Sequence, residues 1–168
     1  MTLCLRPETP ADIDAIDALT RAAFRDAPHT DHTEQFIVKA LRAAGALTLS
    51  LVAELDGTLL GHVALSPVSL SDGTPGWFGL GPISVSPAQQ GRGIGSQLMR
   101  AALQALQAQG AAGCVLLGDP GFYARFGFRA EPGLVLPEVP PEYFQALSFG
   151  APLPRGVVSY HAAFAAQG

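Results

Sequence analysis

The stretch SVSPAQQGRGIGSQLMRAAL, residues 84–103, joins three kinds of local structure. It starts as the end of a strand, continues through a loop that contains Gly91, Gly93 and Gly95, and then becomes a helix that stops at Gly110. The apolar face of that helix is Leu98, Met99, Ala102, Leu103 and Leu106. A glycine-rich loop before a helix exposes backbone N–H groups beside the positive end of the helix dipole. The stretch therefore predicts a phosphate-binding loop, with a tight turn that holds no ligand as the alternative.

The chain before this loop predicts two helices and then a three-stranded antiparallel meander. Thr9 and Pro10 are typical of a helix start, and a second helix is expected over residues 33–44. Strand-like runs separated by Asp-Gly turns follow over residues 47–85. Because Pro82 in the third run has no N–H for a ladder hydrogen bond, we expect a bulge and a splayed sheet there.

The chain after the loop predicts further strands. CVLLG at 114–118 is suited to a buried strand, and strands on both sides of one helix indicate parallel pairing. Residues 119–131 predict a helical turn and a strand, residues 136–144 a proline-rich excursion, and GVVSYHAAF at 156–164 a closing strand. No repeat or linker divides the chain, so we expect one domain over residues 1–168.

Composition and charge indicate a folded protein that binds neither nucleic acid nor membrane. Of the 168 residues, 48% are hydrophobic and 14% are charged, and the net charge is −4. There is no basic stripe for nucleic acid and no window near the about 18 apolar residues of a membrane span. Cys4 and Cys114 lack metal-ligand spacing, and no signal peptide is evident. We expect a cytoplasmic monomer or homodimer.

Two nucleotide-binding motifs do not fit the loop. A P-loop requires Gly-Lys-Ser/Thr, whereas Gly95 is followed by Ser96 and Gln97. A dinucleotide fingerprint requires G-x-G-x-x-G, which neither Gly91 nor Gly93 begins. The pattern thus argues against a nucleotide triphosphatase and a dinucleotide enzyme.

Two segments of the chain instead resemble one enzyme superfamily. QGRGIG at 90–95 resembles the Q/R-x-x-G-x-G/A pyrophosphate loop of the GNAT N-acetyltransferases, and YARFGF at 123–128 resembles their downstream Tyr-x-x-x-Gly-Phe segment. GDPGFYARFGF at 118–128 is similar to a bacterial branch called YhbS-like. The resemblance implies an α/β (α+β) fold: a mixed, mostly antiparallel twisted sheet of six or seven strands, splayed after a bulge near Pro82 and flanked by about four helices.

The resemblance also implies acetyl-CoA as the donor and no metal. The pyrophosphate would lie on the amides of residues 91–96 and the pantetheine arm along residues 83–85, where an N–H near Val85 would polarise the thioester carbonyl. Tyr123 would protonate the leaving thiolate, with packing in an aromatic core as its alternative role. The implied cofactor-binding residues are Ile83, Ser84, Val85, Gln90, Gly91, Arg92, Gly93, Ile94, Gly95, Ser96, Asp119, Phe122 and Tyr123.

The implied activity is direct transfer of an acetyl group to a primary amine of a small molecule, peptide or protein. The alternatives are a catalytically idle acyl-CoA-binding module and a nucleotide-phosphate binder. Residues 77–85 carry no carboxylate where many superfamily members place a glutamate, so the general base stays unassigned. The candidate bases are Glu34, His29, Asp31, His32, His62 and Asp119.

Three further interpretations concern the surroundings of the predicted site. Residues 29–34 suggest a metal site, but no second cluster completes a coordination sphere, and a solvated loop at the substrate mouth is the alternative. Cys114 is expected to be an inert buried thiol. Candidate contacts for a cationic amine are Glu138, Glu142 and Tyr143, with plain surface positions as the alternative.

Overall fold

The computed structural model describes residues 2–27, 30 and 32–167. The strands are β1 Cys4–Pro7, β2 Leu49–Leu55, β3 Thr58–Pro67, β4 Ser69–Leu70, β5 Trp77–Val85, β6 Gly113–Leu117, β7 Leu134–Val135, β8 Phe144–Ser148 and β9 Gly156–Ser159. The α-helices are α1 Ile13–Phe24, α2 Glu34–Ala43, α3 Ile94–Ala108 and α4 Pro120–Tyr123. Within these residues, no helix combines the length and the apolar character that crossing a membrane requires.

The main sheet has six strands in the order β1-β2-β3-β5-β6-β8. All of its neighbours pair antiparallel except β5 and β6, which run parallel on either side of the connection through α3. A smaller sheet has the order β4-β9-β7. The structure confirms the predicted mixed, mostly antiparallel sheet, its central meander of β2, β3 and β5, and the parallel pair.

The two helices near the N-terminus begin where the sequence predicts. A 3-10 turn over Pro10–Asp12 leads into α1, and the backbone N–H of Thr9 donates to the Asp12 carboxylate at 2.7 Å. Helix α2 starts directly after Thr33. The reciprocal arrangement of Thr9 and Asp12 satisfies N–H groups that the first turn of a helix leaves without acceptors.

Helix α3 packs on one face of the main sheet, and α1 and α2 pack on the other. Leu98, Met99 and Leu106 of α3 are fully buried in the larger core. The closest approach is at Gly61 on β3, where an added Cβ would lie 2.8 Å from Leu98 Cδ1 and 3.0 Å from Ile94 Cγ2. The missing side chain at Gly61 lets the first turn of α3, and so the loop before it, sit tightly on the sheet.

The predicted closing strand at 156–164 is wrong in extent. Only residues 156–159 form β9, which pairs with β4 and β7, and residues 162–165 form a 3-10 turn. Alanine-rich sequence favours a helical turn over a strand, and the ring of His161 accepts a hydrogen bond from the Ala163 N–H at 3.0 Å, which caps that turn.

The edge of the main sheet beside β6 is taken by β8, which overlaps the end of the expected proline-rich excursion. β8 begins three residues after Pro141, once the chain can again donate ladder hydrogen bonds, and it buries Phe144 and Ala146. The strand expected after residue 128 is reduced to a single bridge between Arg129 and Ala146.

We expect Gly61→Ala to lower the free energy of unfolding by about 1 to 3 kcal/mol, because the new methyl group overlaps the core side chains of α3. Urea denaturation measures the change. Thr58→Ala, at an exposed position of the same strand, should change stability by less than about 0.5 kcal/mol. Equal stability of Gly61→Ala and the wild type would contradict the close packing.

Candidate active site

Strand β5 carries one more residue than β3 in the middle of their pairing. Val63 pairs with Ile83 and Leu65 with Leu80, so Gly81 and Pro82 together stand opposite a single residue of β3. β5 pairs with β6 only before this bulge, over residues 77–79, and keeps β3 as its partner after it. The predicted bulge and splayed sheet are therefore present, and the second half of β5 has an open edge.

The open edge presents backbone groups of alternate residues. The Ser86 N–H donates to a carbonyl of β3 at 2.8 Å, and because N–H groups alternate sides along a strand, the Val85 N–H points to the open edge. The Val85 carbonyl on that edge accepts from the Gln90 side chain at 3.2 Å. Ile83 shares the orientation of Val85, whereas the backbone of Ser84 faces β3 and its side chain is buried.

The loop after β5 ends in a row of backbone amides. Gly91 (φ 80°) and Gly93 (φ 82°) adopt left-handed conformations that favour glycine. The first hydrogen bond of α3 runs from the Gln97 N–H to the Gly93 carbonyl at 3.1 Å, so the N–H groups of residues 94–96 precede the helix ladder. Exposed Arg92 adds a positive charge. The arrangement suits a phosphate anion.

Helix α4 positions Tyr123 beside the end of β6. The Asp119 carboxylate accepts the Gly121 N–H at 2.9 Å and caps this short helix. The ring of Tyr123 lies against Gly118, where an added Cβ would collide with it. Burial and then the charge of Asp119 raise the pKa of the Tyr123 phenol above its ordinary value. The phenol therefore keeps its proton at neutral pH.

An aromatic cluster holds the ring of Tyr123. It makes edge-on contacts with Phe122, at 4.9 Å between ring centroids, and with buried Phe128, at 6.4 Å. The guanidinium of Arg125 lies 4.7 Å from the centroid of Phe122. Each aromatic pair of this kind stabilises the folded protein by about 0.5 to 1.5 kcal/mol. Tyr123 thus packs in this cluster and also lines a cleft beside β5 and β6.

A cleft of about 570 Å³ lies where β5 and β6 separate. Its lining comes from the bulge of β5, the end of β6, Tyr123, α1, α2 and parts of the chain after residue 135. The lining residues are Phe24, Glu34, Ile37, Leu80, Gly81, Pro82, Ile83, Leu117, Tyr123, Leu136, Pro137, Tyr160 and Phe164. The cleft joins the free edge of β5 to a titratable phenol and a carboxylate.

Comparison with known proteins places this arrangement in a family. A model of the acetyltransferase (GNAT) family matches residues 13–128. The chain is 40% identical over 128 residues to the uncharacterized N-acetyltransferase YhbS of Escherichia coli strain K12, covering 76% of this chain and 74% of that protein. The chain belongs to the GNAT acetyltransferase family.

Two solved GNAT structures share the whole architecture. A GNAT family acetyltransferase from Brucella melitensis, in complex with acetyl-CoA, is 52% identical to this chain and superposes with a TM-score of 0.87. The match covers 97% of this chain and 98% of the Brucella chain. YhbS from Escherichia coli, in complex with CoA, is 35% identical with a TM-score of 0.87 and covers 99% and 93%. The GNAT fold expected from the sequence is confirmed.

The candidate bases of this GNAT chain lie in different places. Glu34 lines the cleft, whereas Asp119 is exposed and caps α4. His32 is exposed and borders a separate surface hollow next to α1. His29 and Asp31 lie outside the described residues, and with them half of the suggested metal cluster. Of the described candidates outside the sheet, Glu34 alone reaches the cleft.

His62, also a candidate base, belongs to a buried network under α1 and α2. Its Nε2 lies 2.7 Å from the Ser50 hydroxyl, which donates to the Glu8 carboxylate. Glu8 also accepts two hydrogen bonds from Arg42, at 2.9 and 3.0 Å. Burial lowers the pKa of His62 to about 4. His62 is therefore neutral at pH 7 and lies outside the residues that line the cleft.

The sequence motifs do not identify every residue that lines the cleft. The candidate amine contacts Glu138, Glu142 and Tyr143 lie outside the cleft lining, while Tyr160 lies within it. Sequence reasoning missed Tyr160 because it follows a short strand of the smaller sheet, far from both GNAT motifs. It also missed Gly118, which makes room for the ring of Tyr123. The available signal was a glycine placed directly after a buried strand.

We expect stability to fall as the pH decreases from about 6.5 towards 4, by up to about 1.4 kcal/mol per pH unit. In this window His62 is neutral in the folded protein and protonated in the unfolded chain, so unfolding takes up a proton. Urea denaturation between pH 7.5 and 5 measures the slope. The slope of the free energy of unfolding against pH should flatten in His62→Gln and persist in His32→Gln. Identical slopes in the wild type and both variants would contradict the buried neutral imidazole.

Proposed function

We propose that this chain binds acetyl-CoA in the opening between β5 and β6 and transfers the acetyl group to a primary amine in the adjoining cleft. The observation that carries the proposal is the continuity of three features: the amides of the glycine loop, the open edge of β5, and the phenol of Tyr123. The complexes of the two similar GNAT proteins with acetyl-CoA and CoA support the choice of donor.

The donor is recognised mainly by the backbone. The pyrophosphate accepts hydrogen bonds from the N–H groups of residues 94–96 and is attracted by Arg92. The pantetheine arm lies along residues 83–85 as an added strand would. The Gln90 side chain, bound to the Val85 carbonyl at 3.2 Å, holds the loop to the end of this strand. The Val85 N–H points to the open edge and polarises the thioester carbonyl.

The reaction is an acyl transfer from sulfur to nitrogen. The neutral amine attacks the thioester carbon, a C–N bond forms, and the C–S bond breaks. The leaving thiolate, with a thiol pKa of about 8.5, takes a proton from Tyr123. Tyr123 recovers a proton from the nitrogen as it becomes an amide. The sum is ammonium plus acetyl-CoA giving amide, CoA thiol and one proton, which solvent receives.

We expect Tyr123→Phe to lower kcat by about 100-fold, because the thiolate loses its proton donor. The dissociation constant for acetyl-CoA should stay within about twofold, since the donor is bound by the backbone. Release of CoA thiol with amine acceptors measures the rate, and calorimetry measures donor binding. Tyr143→Phe, which alters a tyrosine that is 45% exposed and outside the cleft, is the matched control.

Two results would count against this function. A kcat that is equal in Tyr123→Phe and the wild type would remove Tyr123 from the chemistry. Tight acetyl-CoA binding without turnover of any primary amine in a broad panel would favour a catalytically idle binding module instead.

We expect Gly93→Ala to weaken acetyl-CoA binding at least tenfold, because an alanine disfavours the left-handed backbone that directs the amides of residues 94–96. Gly73→Ala is a matched control: both glycines have φ 82° and both have open space where a Cβ would lie. Each substitution should lower stability by about 1 to 2 kcal/mol. Calorimetry should show weaker binding in Gly93→Ala alone, and equal binding in both would contradict the loop as the pyrophosphate site.

A further inference from the structure

The walls of the cleft are almost entirely apolar. Nine of its thirteen lining residues have aliphatic, proline or phenylalanine side chains: Phe24, Ile37, Leu80, Pro82, Ile83, Leu117, Leu136, Pro137 and Phe164. Among the lining residues, which are all described, the polar side chains are those of Glu34, Tyr123 and Tyr160. Glu34 is the single formal charge of that lining. The pantetheine arm of the donor, proposed to lie along residues 83–85, occupies the β5 side of this cleft, so an acceptor must match the remaining apolar walls and one negative charge.

Among the described residues, only one oxygen of the Glu34 carboxylate has a hydrogen-bond partner. Glu34 is the first residue of α2, and its Oε2 accepts a hydrogen bond from the Thr30 hydroxyl. Its Oε1 is buried and has no hydrogen-bond partner in the part of the chain that the structure describes. A buried carboxylate oxygen without a donor is unfavourable, because it has lost its water and gained nothing in exchange. Because Glu34 also lines the cleft, a ligand there that brings a positively charged donor to this carboxylate offsets the penalty.

Tyr160 supplies a second polar group of the cleft. Its ring packs edge-on against Phe164, at 4.8 Å between centroids, so its orientation is held by apolar contacts. Its hydroxyl is buried and, like Oε1 of Glu34, has no hydrogen-bond partner among the described residues. The cleft thus combines one carboxylate, two tyrosine side chains and apolar walls.

We propose that the acceptor is a primary ammonium carried on an apolar or aromatic body, with the ammonium bound to Glu34 and the body packed on the apolar walls. This deepens the acetyltransferase function proposed above and rests on it. An amino acid would bring its carboxylate near that of Glu34, and like charges repel. A polyamine or a hydrophilic amine would leave polar or charged groups without partners on the apolar walls.

Glu34 acts here as a recognition residue. A carboxylate beside an ammonium favours the charged form of that ammonium, so the ion pair serves binding and the ammonium gives up its proton to water before attack. The ion pair contributes to binding the acceptor, whereas the thiolate receives its proton from Tyr123. Removing the charge of Glu34 should consequently act on KM for the amine more than on kcat.

The test compares three acceptors and two glutamate variants. The acceptors are 2-phenylethylamine, phenylalanine, which adds a carboxylate, and ethanolamine, which lacks the aromatic body. The variants are Glu34→Gln and, as a matched control, Glu142→Gln, whose side chain is exposed and outside the cleft lining. Acetyl transfer gives kcat and KM, and calorimetry on the CoA-loaded protein gives amine binding without turnover.

We expect the wild type to acetylate 2-phenylethylamine with kcat/KM at least tenfold above the other two acceptors. Glu34→Gln should raise KM and the dissociation constant for 2-phenylethylamine at least tenfold, with CoA binding unchanged, and Glu142→Gln should match the wild type. Unchanged amine binding in Glu34→Gln, or a wild-type preference for phenylalanine or ethanolamine, would overturn the proposal.

The two proposals fail in different ways. Glu34-dependent binding of 2-phenylethylamine without acetylation of any amine would support the acceptor class and overturn the acetyltransferase function. Acetylation that does not depend on Glu34 would support the acetyltransferase function and overturn the proposed acceptor class. Glu34 lies in the first turn of α2, where a negative charge is favourable, so Glu34→Gln should lower the free energy of unfolding by no more than about 1 kcal/mol. A loss of amine binding in a variant that stays folded and binds CoA normally is assigned to the missing charge.

Discussion

The extra residue that β5 carries opposite Ala64 is the constraint on which the whole site depends. A strand that pairs with β3 along its full length cannot also follow β6 once Gly81 and Pro82 have changed its course. The open edge, the cleft below it and the direction of the Val85 N–H all follow from this mismatch. Without it, β5 and β6 would close as a continuous sheet and leave no backbone groups for a ligand.

The sequence predicts those parts of the fold that local chemistry determines. The helical turn that begins after Thr9 and leads into α1, the turns of the meander and the glycine loop before α3 each have a signal within a few residues. Pro82 is equally local, because a residue without an N–H cannot continue a ladder. These features are enough to predict the bulge, the parallel pair and the glycine loop, and they supply most of the proposed donor site.

The acceptor side is not predictable in the same way, because it is assembled from residues that are remote in the sequence. Phe24, Glu34, Tyr123 and Tyr160 meet at one cleft only after the sheet has brought their segments together. The sequence did not predict strand β8 for a related reason, since it pairs with the remote strand β6 and the nearby prolines argue against a strand. His62 shows the converse: a residue typical of catalysis is part of a buried network.

In the function proposed above, the donor is held by main chain and the acceptor by side chains, and this difference has a consequence for how such a protein can change. Substituting the walls at Phe24, Leu136 or Phe164 alters which amine fits without disturbing a single amide of the glycine loop. One scaffold can therefore acquire new acceptors by ordinary point mutations while its use of the acyl donor is inherited intact. For enzyme engineering, the cleft lining is the part to randomise and the β5 edge is the part to leave alone.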